Sequence, residues 1–123
     1  MFLKALQPTL IFSAIAMILH VGLNYLLKSL VTTDIVLIHV ILFALTLGGY
    51  LLILMMENID ANKVGFTFLA VSTIKLLVSV SVILIMFKMF NKPKSIGVHF
   101  AGAYFIYIGF LSFKTFALIN KPK

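Results

Sequence analysis

Hydrophobic positions in this chain do not alternate and do not form one-sided stripes; they run on. Four apolar runs cover residues 9–27, 35–56, 64–87 and 96–119. Each is about as long as a bilayer core requires at 1.5 Å of helix per residue. Short polar segments separate them: KSLVTTD, ENIDANK and KMFNKPKS. Runs of this length with turns of this size predict four transmembrane helices as two antiparallel hairpins. The fold class is therefore all-α and integral to the membrane, with one domain over residues 1–123.

Local signals refine the ends. Pro8 reads as the close of a short head before the first helix. Thr32, Thr33 and Asp34 are candidate caps for the second. Gly48 and Gly49 lie within the second run, where glycine lets another backbone come close. Pro93 cannot continue the third helix. The first run resembles a secretory signal but is long, with no small-residue cleavage pattern after it; it reads as a retained helix.

Composition agrees with this. The chain is 63% hydrophobic and 11% charged, with a mean hydropathy of +1.20. A soluble domain is about half apolar and about a quarter charged. Lysine supplies the whole basic complement, 10 residues against three acids, with no Arg. Forked recognition of phosphate belongs to Arg, and these lysines flank apolar runs. They read as anchors to lipid headgroups, not as a nucleic-acid surface. Lysine counts on the two sides nearly tie. An Arg-free chain rich in Lys, Ile, Phe and Asn points to an AT-rich bacterial genome, so the expected placement is the bacterial inner membrane, with both termini on the cytoplasmic side. No cysteine is present, so thiolate metal sites are excluded.

Polar residues within the runs are the candidate functional positions. Lys75 sits near the middle of the third run, where an ionisable group costs roughly 2.5–3.5 kcal/mol on insertion scales. At about 100° per residue, Ser72 and Ser79 share its face. Two readings stand side by side. In one, the amine finds hydroxyls, carbonyls or water in its own bundle. In the other, its partner is a carboxylate of a second molecule. Lys114 lies near the end of its run and reaches the interface easily. His20, His39 and His99 fall on one side of an up-down bundle. Neutral imidazoles hydrogen-bonded between helices are expected in preference to a metal site, because no H-x-x-x-H spacing pairs two on one face. His20 and Asn24 share a face at i, i+4, which marks a helix–helix hydrogen bond. The fourth run is crowded with aromatics. They read as lipid-facing or close-packed, with Tyr104 and Tyr107 as candidates for a docking face.

Catalytic chemistry has no foothold in these residues. No carboxylate pair lies at membrane depth, and no Ser-His-Asp set, phosphate loop or H-E-x-x-H is visible. The chain reads as a non-enzyme without a cofactor, whose partners are the bilayer and other membrane subunits.

The turn LLKSLVTTD, the segment FTFLAVSTIKLL around Lys75 and the closing stretch ending in Ile119 and Asn120 resemble the ATP synthase protein I family. That family comprises small bacterial membrane proteins with two helical hairpins. The resemblance implies a non-catalytic accessory role, assisting assembly or stability of the c-subunit ring of the rotary ATP synthase. Family members often carry an acid one turn before the third-helix lysine. Ser72 stands there in this chain, so an internal ion pair is lost. The essential carboxylate of the c-subunit is then a candidate partner for Lys75. Two alternatives remain: a small subunit of another membrane machine, such as a transporter, secretion complex or motor, and a small homo-oligomeric transporter.

Overall fold

A computed structural model describes residues 2–27, 32–89 and 93–120. The described residues form four long helices: α1 (Phe2–Leu27), α2 (Thr32–Ile59), α3 (Val64–Met89) and α4 (Pro93–Ile119). All four are long and apolar enough to cross a membrane. The protein is an all-α, multi-pass membrane protein.

The helices extend past the apolar runs. α1 begins at Phe2 and carries Pro8 within it, so the expected short head is helical. The proline removes the amide that would bond the carbonyl one turn earlier. The carbonyl left without that donor is Lys4's; the neighbouring Thr9 Oγ1 donates to the Ala5 carbonyl at 2.7 Å, a back-bond one turn along the helix and not a replacement. Between α2 and α3 the expected seven-residue turn shrinks to Asp60 and a 3₁₀ turn over Ala61–Lys63. Asp60 caps that turn, accepting from the Asn62 amide at 3.1 Å. Pro93, which cannot continue α3, is the first residue of α4, where its missing N–H has no helical partner to lose. The cap expected from Thr32, Thr33 or Asp34 rests on side chains outside the described residues.

Contacts along the chain fix an alternating up-down order. Ala5 clusters with Tyr50, Ile53 and Leu54, while His20 meets His39, so α1 and α2 are antiparallel. Lys75 meets Thr46 and Val71 meets Gly49, which sets α3 against α2 in the same sense. Gly65 lies near Ile119, and Lys75 near Tyr104, completing the second hairpin. α2 is the axis of the bundle, touching α1, α3 and α4; the backbone of α1 packs along α2 and stays largely apart from α4.

The bundle is apolar outside and partly polar inside. Large apolar side chains such as Ile18, Leu26, Phe66, Leu77, Phe105 and Phe113 face outward, the arrangement lipid requires. Thr9, Ser13, Asn24, His39, Thr46, Lys75, Ser79 and Thr115 are buried among Phe100, Tyr107 and the aliphatic core. With lipid tails as apolar as leucine, association depends on packing and on interhelical hydrogen bonds.

Of the two glycines in α2, one carries a close approach. A Cβ at Gly49 would lie 2.6 Å from Val71 Cγ1, whereas one at Gly48 would meet nothing within 4 Å. Valine is stiff about χ1, so the clash cannot be relieved by rotation alone. Gly49→Ala is expected to destabilise the α2–α3 seam by about 1–3 kcal/mol. Gly48→Ala should be neutral or stabilising by up to about 1 kcal/mol. Thermal unfolding followed by circular dichroism in mild detergent checks the difference; equal midpoints would contradict the assigned contact.

Candidate functional site: an intramembrane hydrogen-bonded chain

Three imidazoles from three helices meet near one end of the bundle. His20 lies seven residues before the end of α1, His39 seven after the start of α2, and His99 six after the start of α4. At the helical rise, each is about 9–11 Å from that end. His20 Nδ1 is hydrogen-bonded to His39 Nε2 at 2.8 Å, and His20 Nε2 to His99 Nδ1 at 2.7 Å. From His39 the chain descends toward mid-depth. His39 Nδ1 is hydrogen-bonded to the Tyr107 hydroxyl at 2.8 Å, and that hydroxyl to Ser13 Oγ at 2.7 Å. The order is His99, His20, His39, Tyr107, Ser13. It passes from α4 to α1 to α2, then back to α4 and α1.

Every member both donates and accepts a proton. A neutral imidazole offers one N–H and one lone pair on its second nitrogen, and a hydroxyl offers both on one oxygen. The chain therefore closes with its protons in either direction. It also accommodates one added proton without losing a link. With His20 doubly protonated, its two N–H groups donate to His39 and His99; His39 Nδ1–H then donates to Tyr107, and Tyr107 to Ser13. This arrangement has the connectivity to relay a proton. It does not activate a nucleophile, because Ser13 is bonded to a phenol rather than to an imidazole base.

Nor do the rings converge on a point. The two nitrogens of His20 face different neighbours, and among the described residues no group of His, Asp or Glu is arranged to hold a metal ion. Asn24, one turn beyond His20, is buried.

The second polar centre is Lys75. Its side chain is 3% exposed. The ammonium donates to Thr46 Oγ1 at 3.1 Å and stands 6.0 Å from the centroid of the Tyr104 ring. Ser79 Oγ and Ser72 Oγ, on the same face of α3, are buried without a hydrogen-bond partner among the described residues. The acids are remote. Positions 34 and 57 lie about 18 and 16 Å along α2 from Thr46, and Asp60 lies beyond the helix. Lys114 stands apart from this centre, its amine 5.9 Å from the Phe110 ring centroid.

The expected docking face on α4 divides. Tyr107 is fully buried, committed to Ser13 and His39, and is no surface contact. Its position on α4 turns it toward α1 and α2, where its hydroxyl has partners that lipid would not supply. Tyr104 is half-buried beside Lys75. Phe105, Phe113 and Phe116 carry the outward face.

Thr46, Ser13 and the role of Tyr107 are absent from the sequence reading. A signal for two of them exists. Ser13 precedes His20 by seven residues, and Thr46 follows His39 by seven; two helical turns put each pair on one face.

Comparison with protein-family models, with curated proteins and with solved structures returns no match. The fold and the two polar centres define a four-helix membrane protein with a hydrogen-bonded interior.

Tyr107→Phe keeps the ring and removes the hydroxyl that joins Ser13 to His39. Two interior groups lose a partner, with an expected loss of about 1–2 kcal/mol. Tyr25→Phe, at an exposed position, should be silent. Thermal midpoints of the two variants test this, and a silent Tyr107→Phe would remove the hydroxyl from the chain.

Proposed function

We propose that this protein is a non-catalytic accessory factor of a larger bacterial membrane machine, and that the machine is the rotary ATP synthase, whose c-ring it helps to assemble or stabilise. The bilayer is the inner membrane, with both termini cytoplasmic. The observation that carries the reading is the state of Lys75. An ammonium has three N–H donors; this one is 3% exposed, with a single hydrogen bond, to a neutral hydroxyl, and no carboxylate near mid-depth among the described residues. A buried cation left with so little compensation favours an anion brought from outside. The intramembrane carboxylate of the c-subunit is such an anion, and the resemblance to ATP synthase protein I supports that choice.

The packing sets a condition on this mechanism. Lys75 lies where α2, α3 and α4 meet, on Thr46 and beside Tyr104. A partner's carboxylate reaches it only when α3 parts from a neighbour. Thr46 then acts as the resting seat of the amine, to be exchanged for the acid.

The test is recovery of c-subunit with the tagged full-length protein in mild detergent, read by mass spectrometry. Lys75→Met, close in volume and suited to an apolar interior, is expected to keep the fold and to lower recovery about tenfold or more. Lys114→Met should leave recovery unchanged. Equal recovery from both variants would end the ion-pair mechanism. Recovery of another machine's subunits, with none of the synthase, would replace the assigned partner.

A further inference from the structure

His20 makes both imidazole–imidazole bonds of the chain, one to His39 of α2 at 2.8 Å and one to His99 of α4 at 2.7 Å. Each bond needs one N–H set against one lone pair. A neutral ring carries one N–H and an imidazolium two. One proton added to any of the three rings leaves both bonds intact, because the N–H groups of the others turn to point away from the charge. Two added protons do not fit. With His20 and either neighbour charged, two rings meet N–H to N–H. With His39 and His99 charged, both aim an N–H at His20, whose own N–H then opposes one of them. Every doubly charged state therefore loses a bond made by His20. Adjacent charged rings also repel, with centroids 5.0 Å apart in a medium that screens poorly.

The packing decides which bond yields. Two charges settle on the outer rings, His39 and His99, where they are farthest apart, and His20 keeps the bond that costs more to lose. On one side, the backbone of α1 packs along α2. On the other, a cleft of about 500 Å³ lies between Leu19 and Leu23 of α1 and Val98 and Ile106 of α4, so little apolar contact joins these helices at the level of the rings. Their other ties, the Ser13–Tyr107 bond and the Phe12–Phe110 stack, lie about two turns deeper. The bond to His99 is the one that gives way, and the deeper ties are the point about which the end of α1 turns.

We propose that the three histidines form a proton-operated latch: a second proton taken up by the cluster breaks the His20–His99 bond and lets the end of α1 beyond Ser13 swing away from α4. The protons come from water at the near end of the bundle, and each adds one N–H bond and one positive charge to a ring. His20 and His99, both half-buried, receive them. The latch is shut with no added proton or one, and opens as pH falls. The rings face one another and, from α4, Tyr107. At the same end α1 adds Tyr25 and α3 adds Lys88, both exposed; Asp34 of α2 and Lys94 of α4 have side chains outside the described residues. The inference does not rest on the assembly role.

The experiment measures the α1–α4 separation in the full-length protein in lipid nanodiscs. The chain has no cysteine, so Leu23→Cys combined with Val98→Cys, both at exposed positions on the walls of the cleft, takes one pair of spin labels for electron paramagnetic resonance. The mean separation is expected to increase by about 2 Å or more between about pH 8 and about pH 4.5, on either side of the imidazole reference of about 6.5. In ¹⁵N-histidine spectra the increase should accompany the second imidazolium signal and not the first. His20→Gln keeps a side chain that donates and accepts but does not titrate. It leaves Asp34, Lys88 and Lys94 in place and should abolish the increase. A separation unchanged over this range, an increase that accompanies the first imidazolium signal or none, or the same increase in His20→Gln would each overturn the proposal.

Discussion

A hydrogen bond left unmade inside a bilayer has no water to fall back on, and that constraint orders this bundle. α1 shows it most clearly. Its backbone packs along α2 and stays largely apart from α4, so side chains must hold it on the α4 side. His20 with His99 and Ser13 with Tyr107 supply two polar ties. Stacking of Phe12 on Phe110, with ring centroids 4.4 Å apart, adds an apolar one. Measured interhelical hydrogen bonds in membranes average about 0.6 kcal/mol each. No single link dominates. The linked series matters because each member depends on its neighbour for a partner, and loss of a middle group strands two others.

The α2–α3 seam works differently. Gly49 brings the two backbones together against Val71, and the Lys75 stem lies along the same contact, its Cδ 3.7 Å from where a Gly49 Cβ would stand. Close packing here seals the amine from lipid and directs it to Thr46. Buried charges of this kind add little to stability, since a well-packed apolar substitute is often neutral or better. The lysine is thus a poor choice for a structural post and a good one for a group that must meet an acid.

Much of the fold was legible in the residues. Four unbroken apolar runs admit helices and little else, because an open strand edge has no place in hydrocarbon. Helix ends were less legible. Pro8 reads as a stop in water but lies within α1, and Pro93, read only as a barrier to α3, also opens α4. The interior face was the hardest part. In a soluble helix the buried stripe is the apolar one; here both sides are apolar, and the inside is marked by small polar residues instead. In α1 the stripe is Ala5, Thr9, Ser13 and Asn24, all buried. The histidines pointed to one end of the bundle, as their places along the runs implied. Their order in the chain, and the membership of Ser13 and Tyr107, depend on helix rotation, which no local pattern specifies.

The two polar centres are not independent. They share α2, where His39 and Thr46 lie two turns apart on one face, and they share α4, where Tyr104 stands beside Lys75 and Tyr107 joins His39 to Ser13. Tyr104 and Tyr107 are three residues apart, within one rigid turn. A shift of α4 against α2 large enough to bring an acid to Lys75 would carry Tyr107 with it and lengthen the bond to His39. Conversely, a chain closed from His99 to Ser13 holds α4 in the register that keeps Lys75 on Thr46. Packed helices move as units and not residue by residue, so opening at one centre strains the other.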